Sequence, residues 1–230
     1  MSLLRITSAA VLLCAVALPS SAAEPKNDDD KTFYALGVAL ARNLATFDLT
    51  PAELELVKAG MTDGSTGKEK IDLDAYLPKL QELQGQRMAA ITQKERQAGQ
   101  AFIEKAAAEK GATKTASGIV IKQTKAGTGP SPTAKDTVKV HYQGTTTDGT
   151  VFDSSRERNE PATFPLEGVI PCWTEALQTM KVGGQSRIIC PPELAYGDRG
   201  SGTIKPGSTL VFDVELLDIQ HPAAAPEPQQ

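Results

Sequence analysis

Thr137-Val138-Lys139-Val140-His141-Tyr142, followed by the turn pair Asp148-Gly149, is the stretch on which the fold turns. Before Gly111 the apolar residues recur at helical spacing; here and beyond they fall in short runs bounded by turn residues, as strands do. Asp148-Gly149 has the chemistry of a hairpin turn. Outward from it toward the C-terminus, Gly183-Gly184 is a second turn leading into a strand over 186–189. The last strand covers 209–219, where Leu210, Phe212, Val214 and Leu216 alternate with Val211, Asp213 and Glu215. Toward the N-terminus, Ile119-Val120-Ile121 reads as one more strand, set off by the turn-rich segment 126–133. A single short helical piece over 174–180 interrupts these strands. A sheet with one helix on one face is an α+β arrangement.

The first half of the chain is helical. Phe33, Leu36, Leu40, Leu44 and Phe47 form one stripe and predict a helix over 32–47. Thr50-Pro51-Ala52-Glu53 starts a second helix, with a Thr cap, Pro in the first turn and Glu reaching back; it stops at 64–67, where Gly64 and Gly67 stand. A third helix runs from Asp72 or Asp74 to Lys110 and is ended by Gly111. At ~1.5 Å per residue that is a rod of roughly 55 Å. Its apolar face (Leu77, Leu80, Leu83, Met88) thins beyond Thr92 to Ala98, Phe102 and Ala106. A rod with so little to bury in its second half is expected to bridge separated bodies. The two short helices and the apolar start of the rod make a core too small to stand alone, and such a core recruits a second copy. They either dimerise or pack back on the C-terminal half of the same chain; the rod carries them away from it, which favours a dimer.

The chain has 230 residues, with 24 Lys and Arg against 28 Asp and Glu, a formal net charge of −4. The basic residues are spread rather than clustered, which argues against a nucleic-acid partner. The N-terminus reads as an export signal: Arg5, an apolar core from Ala9 to Leu18, and the small residues Ser21-Ala22-Ala23 with cleavage after Ala23. The alternative is an N-terminal membrane anchor, but the apolar run is short for a span, as is every later one. Bulky Leu13 ahead of Cys14 argues against a lipoprotein site. Export leaves Cys172 and Cys190 in an oxidising compartment that permits them to pair. The other reading is two small buried side chains with inert thiols. Only His141 and His221 are histidines, and neither has metal-ligand spacing to the cysteines.

Five blocks in order carry a resemblance: His141-Tyr142-Gln143-Gly144, Gly149-Thr150-Val151-Phe152-Asp153-Ser154-Ser155, Val169-Ile170-Pro171-Cys172-Trp173, Leu194-Ala195-Tyr196-Gly197 and Leu210-Val211-Phe212-Asp213-Val214-Glu215-Leu216. Together they resemble the FKBP family of peptidyl-prolyl cis/trans isomerases over about 117–219. The signal, helical arm and rod are similar in layout to the exported bacterial group that includes the macrophage infectivity potentiators and FkpA. The resemblance implies an antiparallel sheet wrapped on a short helix, preceded by an all-α dimerisation arm and a long connecting helix. On that reading 1–23 is the signal, 24–70 the arm, 71–113 the connecting helix, 114–220 the isomerase domain and 221–230 a polar tail expected to be disordered.

The implied chemistry is non-covalent. Amide resonance sets a rotation barrier of about 18–20 kcal/mol, and X–Pro bonds exchange slowly enough to limit folding. The twisted transition state is less polar than the planar ground state, so an apolar cleft favours it. No nucleophile, metal or cofactor is needed. By resemblance Trp173 floors the proline pocket, with Tyr142, Phe152, Val169, Ile170 and Phe212 as walls. The Ile170 N–H and the Tyr196 hydroxyl hold substrate, and Asp153 bonds to Tyr142 and to Arg156 or Arg158. Singly, each residue has a structural reading too: Trp173 as core, Tyr196 as a turn anchor, Asp153-Ser154-Ser155 as a plain cap or turn.

Three departures from the family pattern bear on substrate preference and macrolide affinity. Cys172 stands where many members have Gly and permits a link to Cys190. Ala162 stands where some place an aromatic wall, leaving Phe164 to compensate, and a shorter loop after Tyr196 leaves Ile204 as the apolar lip. The expected partners are proline-containing unfolded polypeptides and a second copy of the chain, in a periplasmic or surface setting. A competing reading is a chaperone whose isomerase activity is incidental; another is a secreted factor acting on host proteins.

Overall fold

The computed structural model describes residues 24–221, so the segment expected to be an export signal and nearly all of the C-terminal tail lie outside the described residues. The chain divides into two compact units, the first ending at Ala45 and the second running from Thr46 onward.

In the first unit α1 spans Asp28–Asn43. It begins earlier than the apolar stripe suggests because Asn27 caps it, accepting from the Asp30 N–H at 2.8 Å. Asp28, Asp29 and Asp30 then sit in the first turn, where carboxylates complement the helix dipole. No residue of α1 is buried within the chain.

The second unit opens with α2, Pro51–Ser65, held by the reciprocal cap between Thr50 and Glu53. Glu53 also accepts from Arg87 of α3 at 2.5 Å. α3 spans Leu73–Ala107 and ends before the expected stop; the chain then turns through Gly111, φ +83°, into the sheet.

Seven strands follow: β1 Ala112–Lys114, β2 Val120–Lys125, β3 Thr137–Thr146, β4 Val151–Ser154, β5 Ala162–Pro165, β6 Gln185–Cys190 and β7 Leu210–Gln220. They form one antiparallel sheet in the order β1-β2-β6-β7-β3-β4, with β5 pairing the first half of β3 and β4 its second half. The period of two sorts the side chains. Val138, Val140, Tyr142, Ile188, Leu210, Phe212, Val214 and Leu216 face a core closed by α4, Pro171–Leu177. Val120, Ile189 and Val211 face the other way.

That second face is covered by the second half of α3, which corrects the expectation that this half has little to bury. Ile103 and Ala106 are buried against Val120, Ile189 and Val211, and Gly99 is buried as well. Gly99 has no side chain because none fits: a Cβ there would stand 2.9 Å from the Thr209 Cβ. The stripe looks thin in sequence because close helix–sheet contact uses small residues, which carry little hydropathy. The first turns of α3 differ, leaving Leu73, Tyr76, Leu77 and Leu80 exposed. Among the described residues no helix is long and apolar enough to cross a membrane.

Candidate active site

α4 begins three residues before the expected helical piece because Pro171 occupies its first turn, where a missing N–H is harmless. Trp173 therefore lies inside the helix rather than ahead of it. Its indole is 4% exposed and meets three rings edge to face, with centroids at 5.2 Å to Tyr142, 5.3 Å to Phe212 and 5.7 Å to Phe164. Edge-to-face contacts suit the aromatic quadrupole and hold each ring in one orientation. Phe152 extends the set, 5.6 Å from Phe212. Val169, Ile170, Phe152 and Phe164 are partly buried and pack around this cluster, so the apolar surface reaches solvent at its rim.

β3 and β7 supply the register. Tyr142 lies opposite Val214, and Gly144 opposite Phe212. Gly144 also lies opposite Asp153 of β4, while Thr145 pairs with Val151, so Phe152 is an extra residue in a bulge. A Cβ on Gly144 would meet the Phe152 ring at 2.5 Å, so Phe152 packs over Gly144, while its neighbour Asp153 reaches the Tyr142 hydroxyl.

The Tyr142 hydroxyl donates to Asp153, and Arg158 donates to the same carboxylate and, at 3.3 Å, to the tyrosine oxygen. Arg156, the other candidate partner, instead pairs with Glu215 at 3.0 Å. Burial works to raise the Asp153 pKa, but the hydrogen bonds from Tyr142 and Arg158 outweigh it and hold the carboxyl below its usual range. Burial, then the bond to Asp153, pushes the Tyr142 hydroxyl up.

Two polar groups expected to hold substrate are unengaged. The Ile170 N–H, ahead of α4, and the Tyr196 hydroxyl, on a side chain 40% exposed, have no hydrogen-bond partner among the described residues. Ile204, expected as an apolar lip, is 7% exposed and belongs to the same buried cluster as Trp173. The turn closed by hydrogen bonds in both directions between Ser201 and Ile204 folds it inward. Cys172 and Cys190 are joined by a disulfide.

Ser155 is a site residue that sequence reading leaves as a plain turn. Wholly buried, its hydroxyl accepts from the Tyr142 N–H at 2.8 Å, and its own N–H donates to the Tyr142 carbonyl at 3.1 Å. It fixes the backbone under the Tyr142 ring. Thr174 likewise anchors α4 by donating to the Leu166 carbonyl at 2.7 Å. Both contacts join separate elements, so no local pattern announces them.

With this geometry in place, the likeness to known proteins is specific. Residues 129–217 match the family model described as FKBP-type peptidyl-prolyl cis-trans isomerase, and residues 29–122 match the domain amino terminal to it. The chain is 40% identical to the FKBP-type peptidyl-prolyl cis-trans isomerase FkpA of Aeromonas hydrophila, over 88% of this chain and 80% of that protein. It is 35% identical to the outer membrane protein MIP of Legionella longbeachae, over 96% and 99%. Among solved structures, FkpA from Escherichia coli matches with a TM-score of 0.66 and 38% identity, covering 85% of this chain and 98% of that one. A helical amino-terminal region, an antiparallel sheet on a short helix and both family models in order make this chain a member of the FKBP-type peptidyl-prolyl cis-trans isomerases, alongside FkpA and MIP.

Proposed function

We propose that the chain isomerises X–Pro bonds in exported polypeptides within the aromatic cluster around Trp173. The observation that supports this reading is the ring cluster packed around Trp173, together with an Ile170 N–H and a Tyr196 hydroxyl that have no hydrogen-bond partner among the described residues. A proline ring seated on Trp173, walled by Tyr142, Phe152, Phe164, Val169, Ile170 and Phe212, leaves water, and the less polar twisted imide gains relative to the planar one. The two donors hold flanking carbonyls, so binding energy opposes the planar form. Asp153, kept ionised by Arg158, orients the Tyr142 hydroxyl and shapes the field without exchanging protons. The same slot is the place a macrolide would occupy.

The export reading is supported by the N-terminal segment, by the disulfide, which belongs to an oxidising compartment, and by the similarity to an outer membrane protein, MIP of Legionella longbeachae. The exposed apolar side chains of α1 and the start of α3 support a homodimer. Two such clefts on one dimer would grip an unfolded chain twice and raise its effective concentration, which is the basis for chaperone activity.

The test is proline-limited refolding of a model protein in the presence of the full chain. Acceleration that is lost in Trp173→Leu and reduced in Tyr196→Phe is the expected result. Suppressed aggregation with an unchanged slow phase would leave only the chaperone role.

A further inference from the structure

We propose that Arg96, on the long helix α3, is a positioning residue for the isomerase site because it holds both flanks of the loop that carries Tyr196. The inference rests on the reading of Tyr196 as a substrate hydrogen-bond donor. The loop over 191–209 joins β6 to β7. The Arg96 guanidinium donates through Nη1 to Glu193, and through Nε and Nη2 to Asp198 at 3.1 and 2.8 Å. Glu193 precedes Tyr196 and Asp198 follows it. One planar fork therefore spans the segment from which the tyrosine projects, a geometry lysine cannot reproduce.

The ion pair is one of a row of contacts. Lys205 donates to Glu95 at 3.3 Å. Gly207, at φ +75°, lies so near α3 that a Cβ would stand 2.8 Å from the Thr92 carbonyl oxygen. Thr209 fills the space beside Gly99. Thr92, Arg96 and Gly99 recur at the three-and-four spacing of one helix face, and that face is applied along the loop. Within the loop the Gly207 N–H donates to the Gly197 carbonyl at 2.9 Å, so the segment after Tyr196 closes on itself and is placed as one piece by what it docks against. The face of α3 is what it docks against, and the Arg96 fork at its two flanks sets the position of the Tyr196 hydroxyl. The carboxylates are more than half exposed, so the ion pairs add little to global stability and act locally.

A merely structural role is separated from positioning by measuring the cis/trans exchange of a short X–Pro peptide with the full chain. Arg96→Ala and the pair Glu193→Gln/Asp198→Asn should each lower kcat/KM by about threefold to tenfold, mostly in kcat, with the thermal midpoint nearly unchanged. Arg96→Lys should recover part of the loss. In a Tyr196→Phe background, Arg96→Ala should add nothing further, because the hydroxyl it positions is gone. Wild-type activity in Arg96→Ala overturns the inference. So does a loss that persists in full in the Tyr196→Phe background, or one that follows a fall in the thermal midpoint. If Tyr196→Phe alone matches wild type, the role of Tyr196 fails and the inference falls with it, a result distinct from failure of the clamp.

Discussion

Cys172 is disulfide-bonded to Cys190, joining the residue before Trp173 to the last residue of β6 across a Cα separation of 5.7 Å. The bond ties the start of α4, beside Trp173, to the strand that leads into the Tyr196 loop. It closes a loop of 18 residues, for which chain-entropy arguments give about 3 kcal/mol of stabilisation. Replacing both cysteines with alanine should lower the unfolding free energy by about that amount in a urea titration. A chain beginning at Glu24 should show no free thiol in denaturant without reductant. Both residues are wholly buried, so reductant should act only once the protein unfolds. Two titratable thiols in the unreduced denatured protein would rule the bond out.

The hydrogen bonds around Asp153 predict the pH profile. Its folded pKa is depressed, so its stabilising contribution is present above the unfolded value of about 3.9 and is lost as pH falls through the folded value. Tyr142 is shifted the other way. Its contribution is complete below the unfolded value of about 10 and is lost as pH rises through the folded one. Neither group changes charge in between, so kcat/KM should be flat from about pH 5 to 9 and fall only below about pH 4. Asp153→Asn should lower activity about tenfold at neutral pH and remove the acid limb. A bell-shaped profile centred near neutrality would show that a proton is transferred after all.

Much of this was legible because the sheet and its caps are written locally. Leu210, Phe212, Val214 and Leu216 declare one face of β7 by alternation, and Thr50 with Glu53 declares the start of α2. Phe152 and Asp153 could not be placed that way. Alternation sends neighbours to opposite faces, and the bulge opposite Gly144 lets Phe152 reach Phe212 while Asp153 reaches the Tyr142 hydroxyl. The choice between Arg156 and Arg158 was equally closed to sequence, since Glu215 on a distant strand claims the first. The docking of α3 was hidden by composition. Gly99 and Ala106 contribute contact through the absence of bulk, and hydropathy does not register that.

The start of α3 carries the last expectation. Leu73, Leu77 and Leu80 are all exposed, as are Phe33, Tyr34 and Leu36 on α1. Fully burying one such side chain is worth about 1.5–3 kcal/mol, so leaving all of them in water is a substantial loss for a helical segment of this size. A second copy of the chain, paired symmetrically as proposed, would recover it for each helix. The full chain should therefore sediment at twice its monomer mass at micromolar concentration. Leu77→Glu/Leu80→Glu should yield monomers, because two charges per chain would be buried without partners. Those residues lie outside the cleft, so exchange of a short X–Pro peptide should proceed at the wild-type rate, while the refolding of a large client slows as the paired grip is lost. A wild-type chain that sediments as a monomer would remove the dimer. It would leave the aromatic cleft as the whole of the functional reading.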